Sequence, residues 1–259
     1  MAVPLSHLRP LLPPPLPREH GSWAALLIPL LAAGAVLGTS PAALRLAGAA
    51  AALFMARAAW EQQRHPQRRA WARLWLIAWI LLAGALAWPL LTGDRGLHLL
   101  AIGAVGVAAE GLIPLLGRRS PWRSLLGDLL GTVASALLVP AYALALAGEV
   151  GPAARTLTLM TVLFWAGSVV RVRSQFRERT NRRFHLLSLA VHLVCLGVAA
   201  GWAAPYGWAL VPSALHAAWI AARPPGPEPT LRVGLREIGH GVGFVILVAL
   251  LAHLAPGGA

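Results

Sequence analysis

Apolar runs of 15 to 23 residues alternate along the chain with short stretches that gather its arginines, glycines and prolines. A helix crossing the hydrocarbon core of a bilayer needs about 20 mostly apolar residues, within a range of about 17–25. Nine such segments are predicted, at 23–37, 42–60, 73–91, 97–116, 125–147, 156–170, 185–203, 206–222 and 238–255. The runs at 23–37 and 156–170 are short, so their polar flanks are expected to continue as helix beyond the apolar core. No polar linker is long enough to divide the chain into separate domains. The predicted organisation is a cytoplasmic N-terminal arm at 1–22 and a single transmembrane helical domain at 23–259, an all-α polytopic membrane protein.

Composition supports this reading. Of 259 residues, 58% are hydrophobic and 12% are charged, against about 25% charged in a soluble domain. So much apolar surface cannot all be buried in one water-soluble core, and lipid must take the rest. The net charge is +13, and all 22 basic residues are arginine. In a soluble protein that balance would suggest nucleic acid. Here the arginines sit in short loops between apolar runs, so the expected partner is the bilayer and not nucleic acid. With the loop at 61–72 in the cytoplasm, alternation places 19 arginines inside and only Arg45, Arg95 and Arg155 outside. That bias predicts a cytoplasmic N-terminus and an external C-terminus. The first 22 residues, with Pro13, Pro14, Pro15 and Pro17 before Arg18, Glu19 and His20, do not read as a cleavable signal peptide. Cys195 is the single cysteine, which excludes an internal disulfide or a cysteine metal cluster.

Ionisable residues inside spans are expensive and read first as functional. Glu110, Asp128, His192 and His216 lie within spans, while Glu19, His20, Glu237 and His240 lie at helix mouths. All eight fall on the side assigned to the cytoplasm, which points to a cavity open to that side. For the histidines the competing reading is a hydrogen bond to a neighbouring helix. For Glu110 and Asp128 it is a structural arginine partner. Two loops carry more charge than topology requires. Arg57, Glu61, Arg64 and Arg68 share one helical face after the second span. After the sixth, Ser168, Arg171, Gln175 and Glu178 share a face beside Arg173 and Arg177, and Arg182, Arg183 and His185 follow behind the N-cap candidate Asn181. Guanidinium forks suit a phosphate or a phospholipid headgroup. Arg57, Arg64, Arg171 and Arg173 are the candidate anion-binding residues, with Glu61, Asp128 and His20 the candidate acids or bases. No metal-ligand constellation is evident, and no cofactor is implied.

The motif Arg18-Glu19-His20-Gly21-Ser22-Trp23, followed by apolar residues up to Pro29, resembles the opening of the YwiC-like family of bacterial integral membrane proteins. Arg57-x3-Glu61, Ser168-x2-Arg171-x-Arg173 and Gly234-x2-Glu237 extend the likeness along the chain. The resemblance implies a multi-pass protein of a bacterial inner membrane and brings no reaction with it. The topology is also similar to that of UbiA-type prenyltransferases, which implies a ring of nine helices with functional loops after the second and sixth. The aspartate-rich motifs that hold magnesium and diphosphate in those enzymes are missing from both loops, so that chemistry does not carry over.

Three functions fit these observations. One is an enzyme or binding protein for an amphipathic anion, such as a lipid phosphate or an isoprenoid, in a cytoplasm-facing arginine-lined cavity. The second is a secondary transporter of a small anion, although nine spans do not divide into two equal inverted repeats. The third is an accessory subunit of a membrane complex.

Overall fold

The computed structural model describes residues 13–17, 20–116 and 121–254, and the side chains of residues 20, 21, 110, 113–116 and 121–123 lie outside that description. Its elements are α1 (His20–Leu37), α2 (Pro41–Gln62), α3 (Arg69–Leu91), α4 (Gly96–Leu116), α5 (Pro121–Ala136), α6 (Leu138–Ala147), α7 (Pro152–Phe176), α8 (Arg182–Trp202), α9 (Val211–Ala222) and α10 (Thr230–Leu254). Single 3-10 turns at Pro66–Arg68 and Tyr206–Leu210 lead into α3 and α9. The fold is all-α, and there is no strand among the described residues.

Local chemistry sets most of the helix ends. Ser40 accepts the backbone N–H of Ala43 at 3.1 Å and Pro41 follows it, so α2 starts where its first free donors find a partner. Gly38 and Gly148 adopt φ of +90° and +88°. Their N–H groups bond back to the carbonyls of Gly34 and Leu144, which closes α1 and α6 with the left-handed residue that a side chain would disfavour. The segment expected at 125–147 is two helices. Pro140 has no N–H to offer the carbonyl of Ala136, and its ring crowds that carbonyl, so the helix breaks at Leu137 and resumes. The segment expected at 206–222 opens as a 3-10 turn before it becomes α9. The short run at 156–170 does continue through its polar flank, as α7 extends to Phe176.

α1 lies at the centre of the bundle and packs against α2, α5, α6, α7 and α10. Ile28, Ala32 and Ala33 of α1 meet Tyr142 of α6, Met160 and Phe164 of α7, and Phe244 and Val248 of α10 in one buried core. The Phe164 and Phe244 rings stack 4.6 Å apart. The Tyr142 hydroxyl donates to the Gly38 carbonyl at 3.1 Å, so the polar atom of this buried ring is satisfied. On the other side, α3 and α4 leave Leu74, Ile77, Ile80, Leu81, Trp88, Leu97, Leu100, Val105 and Val107 exposed. An apolar face of that extent is unstable against water and fits hydrocarbon. Among the described residues, six helical segments are long and apolar enough to cross a membrane: Pro41–Gln62, Pro66–Leu91, Ser124–Ala147, Pro152–Phe176, Arg182–Trp202 and Thr230–Leu254. Two shorter apolar helices, Ser22–Leu37 and Gly96–Ala109, stand beside them.

Candidate functional site

The strongest concentration of buried polarity among the described residues lies between α7, α8, α9 and α10. Arg171 sits five residues before the end of α7, and its side chain is 0% exposed. Glu237, seven residues into α10, receives it bidentately: Nε donates to Oε1 at 3.0 Å and Nη2 to Oε2 at 2.6 Å. The Ser168 hydroxyl, one turn before Arg171 on the same face, donates to Oε2 at 2.8 Å. The third guanidinium nitrogen, Nη1, donates to the Ser213 carbonyl at 3.4 Å and lies 3.3 Å from His192 Nε2. Each nitrogen of Arg171 therefore has a partner inside the protein. A buried ion pair is tolerable when its remaining lone pairs and protons are satisfied in this way.

Gly167 makes part of this possible. A β-carbon there would stand 2.9 Å from His192 Nε2, so glycine is what lets α8 bring the imidazole against Arg171. His192 Nδ1 is 2.7 Å from the Ser188 carbonyl of its own helix. The next layer adds His216 and His240, whose Nδ1 and Nε2 atoms are 2.9 Å apart and whose rings are 4.9 Å between centroids. Towards the helix ends, Gln175 donates to the Arg171 carbonyl through Nε2 and accepts from Arg236 through Oε1. Arg236 also pairs with Glu228 at 2.7 Å. This outer layer closes the bundle over the buried pair.

A second feature lies at the start of α1 and the end of α2. A cleft of about 280 Å3 is lined by Leu16, Pro17, Ser22, Phe54, Arg57, Ala58, Glu61 and Gln62. Trp23 fixes its wall: its ring meets Phe54 edge-on at 5.1 Å, and its Nε1–H donates to the Pro17 carbonyl at 3.3 Å. Arg57 Nε reaches Glu61 Oε1 at 3.3 Å, with the two side chains 57% and 55% exposed. Such an exposed pair adds little stability. What it does is hold the two side chains at a cleft lined by both apolar and polar residues.

The remaining sequence candidates divide between these features and the surface. Arg64 is exposed beyond the end of α2. Arg173 reaches the carboxylate of Asp128 at 3.6 Å and the Ser124 hydroxyl at 3.5 Å, which ties α7 to α5. Asn181 accepts the N–H of Phe184 and so caps α8. His185 is fully buried, with Nε2 2.9 Å from the Arg179 carbonyl. Glu19 and the side chains of His20 and Glu110 lie outside the described residues. Arg171 and Arg57 occupy different surroundings, one buried among four helices and one at an exposed rim, with α1 packed against both α2 and α7. Sequence reasoning did not anticipate the Arg171–Glu237 pair or the His216–His240 contact. The signal in the chain was Glu237-x2-His240, which puts those two side chains on one face of α10 but names neither Arg171 nor His216 as a partner.

The apolar helices, exposed hydrocarbon-like faces and buried ion pair together define a multi-pass helical membrane protein. Residues 16–143, from α1 through most of α6, match the model of the family described as YwiC-like protein. Comparison with the curated proteins gave no match, nor did comparison with the solved structures.

Proposed function

We propose that this protein binds an amphipathic anionic ligand, a phosphate-bearing lipid or isoprenoid, with the acidic head at the rim of the Arg57–Glu61 cleft. The observation that carries the reading is the composition of that cleft. Leu16, Pro17 and Phe54 offer apolar surface while Ser22, Arg57, Glu61 and Gln62 offer polar contacts. Ser22 of the opening motif and Arg57 and Glu61 of the second motif line it together. In this reading Arg57 and Arg64 attract the head, Glu61 orients Arg57, and Arg171 holds Glu237 within the bundle. The rim faces the cytoplasm of a bacterial inner membrane, because the arginine bias puts the start of α1 and the end of α2 inside.

Two measurements test it. Binding of phosphatidic acid to the detergent-purified protein, with phosphatidylcholine as the neutral control, is expected to weaken tenfold or more in Arg57→Ala. A lost charge-assisted hydrogen bond is worth about 1.5–3 kcal/mol. Arg57→Lys should fall between, since a point charge cannot reproduce a planar fork. Arg223→Ala, whose guanidinium lies over the Trp219 ring, should bind as the parent does. Equal small losses from Arg57 and Arg223 would mean a diffuse basic surface and would end the cleft reading. For orientation, single cysteines in a Cys195→Ser background at positions 66, 180 and 228 should label only from the cytoplasm. Positions 94, 150 and 204 should label only from outside. Labelling of position 150 from the cytoplasm would overturn the assignment.

A further inference from the structure

We propose that His216, Glu237 and His240 form a binding site for a divalent transition-metal ion. The proposal does not depend on the cleft at Arg57. One ligand atom from each of the three side chains lies within 4.8 Å of the other two. His216 Nδ1 and His240 Nε2 are 2.9 Å apart. Two nitrogens bound at about 2.0–2.1 Å around one tetrahedral ion stand roughly 3.3 Å apart, so a movement of a few tenths of an ångström from the hydrogen-bonded contact brings the pair to ligand spacing. Glu237 and His240 project from one face of α10 at i and i+3, and His216 faces them from α9. The donors thus stand on helices, whose packing holds them in place.

The carboxylate is already oriented. Arg171 and Ser168 hold Glu237 from the α7 side. Each carboxylate oxygen offers two lone pairs, and Oε1 accepts the Arg171 Nε–H while retaining capacity for a second partner. Residues that hold a ligating carboxylate in place are a regular feature of metal centres. Without a metal, one imidazole donates its N–H to the other across their 2.9 Å contact. To bind one ion through both of these nitrogens, the donor ring takes the tautomer that carries its proton on the other ring nitrogen, which frees both lone pairs. Two imidazoles with one carboxylate suit Zn2+, Fe2+ or Mn2+. Three protein ligands leave further positions for water or an anionic group. The Arg171 charge already offsets that of Glu237, so the bound ion keeps most of its positive charge and favours an anion there. This departs from the sequence expectation of no metal, which rested on the missing aspartate-rich motifs.

The test is titration of chelator-stripped, detergent-purified full chain with Co2+, read by visible ligand-field absorption and by metal content. One Co2+ per chain is expected. His216→Asn and His240→Asn should each weaken binding at least a hundredfold, whereas His253→Asn, at the exposed end of α10, should leave it unchanged. Ser168→Ala removes no ligand but loosens Glu237, and should weaken binding about ten- to a hundredfold. That variant keeps the test decisive if either histidine variant fails to stay monodisperse. No stoichiometric Co2+ on the parent protein, or equal binding by parent and Ser168→Ala, overturns the proposal.

Discussion

Glu237→Ala is expected to destabilise the protein by about 3–5 kcal/mol, because it leaves a guanidinium buried without its counter-charge. Arg171 is 0% exposed and its two bonds to Glu237 are the shortest it makes. The guanidinium itself has no contact with solvent, and the carboxylate that neutralises it would be gone. Glu237→Gln should lose less, since the amide oxygen still accepts one N–H while the amide nitrogen opposes the other. The informative comparison is the pair replaced together. Arg171→Met with Glu237→Leu removes both charges and fills similar volume, and it should recover most of the stability lost by Glu237→Ala. Apparent Tm in one detergent, with the two singles and the double, completes the cycle. If the double is as unstable as Glu237→Ala alone, the pair contributes through packing and the electrostatic account is wrong.

Gly167→Val is the second large effect expected, at about 1–3 kcal/mol for overpacking a close-packed site. The added β-carbon would stand 2.9 Å from His192 Nε2 and 3.1 Å from Cδ2. His192 cannot simply turn away, because Nδ1 is held at the Ser188 carbonyl and Nε2 lies against Arg171. The substitution should therefore separate α7 from α8 or break the His192 contacts. His192→Ala makes room, so the double variant should be more stable than the sum of the two single losses predicts. Coupling of that kind marks residues that share one space. Additive losses would show that Gly167 serves the helix backbone alone.

Much of the bundle was legible in the chain because lipid imposes a simple rule. Every spanning segment must satisfy its own backbone and present apolar side chains, so length and composition of the runs locate the helices. Ser40, Pro41, Pro152 and Asn181 mark helix starts by local chemistry that needs no tertiary partner. The break at Leu137 was equally local, since Pro140 stood in view, yet the run of apolar residues on both sides hid it. The same apolar continuity makes the 3-10 turn at Tyr206–Leu210 invisible to hydropathy.

The site was legible residue by residue and not as a constellation. Arg171, Ser168 and Glu237 each stood out as polar residues in or beside an apolar run. Helical spacing could pair Ser168 with Arg171, as it paired Arg57 with Glu61, because i, i+3 and i+4 positions share a face. It could not pair Arg171 with Glu237, 66 residues away, or His216 with His240, 24 residues away on another helix. Nor could it tell that Arg171 is enclosed while Arg57 stands at a rim, since the two loops look alike in charge. The sequence by itself determined an all-α chain built on apolar runs, because those follow from local propensity and from transfer into lipid; of the nine spans expected, six segments among the described residues have membrane length. Which polar side chains face one another was decided only by the tertiary structure, through the rotation of each helix about its axis and the close approach that Gly167 permits. Both are products of packing among several helices at once, and no single segment carries them.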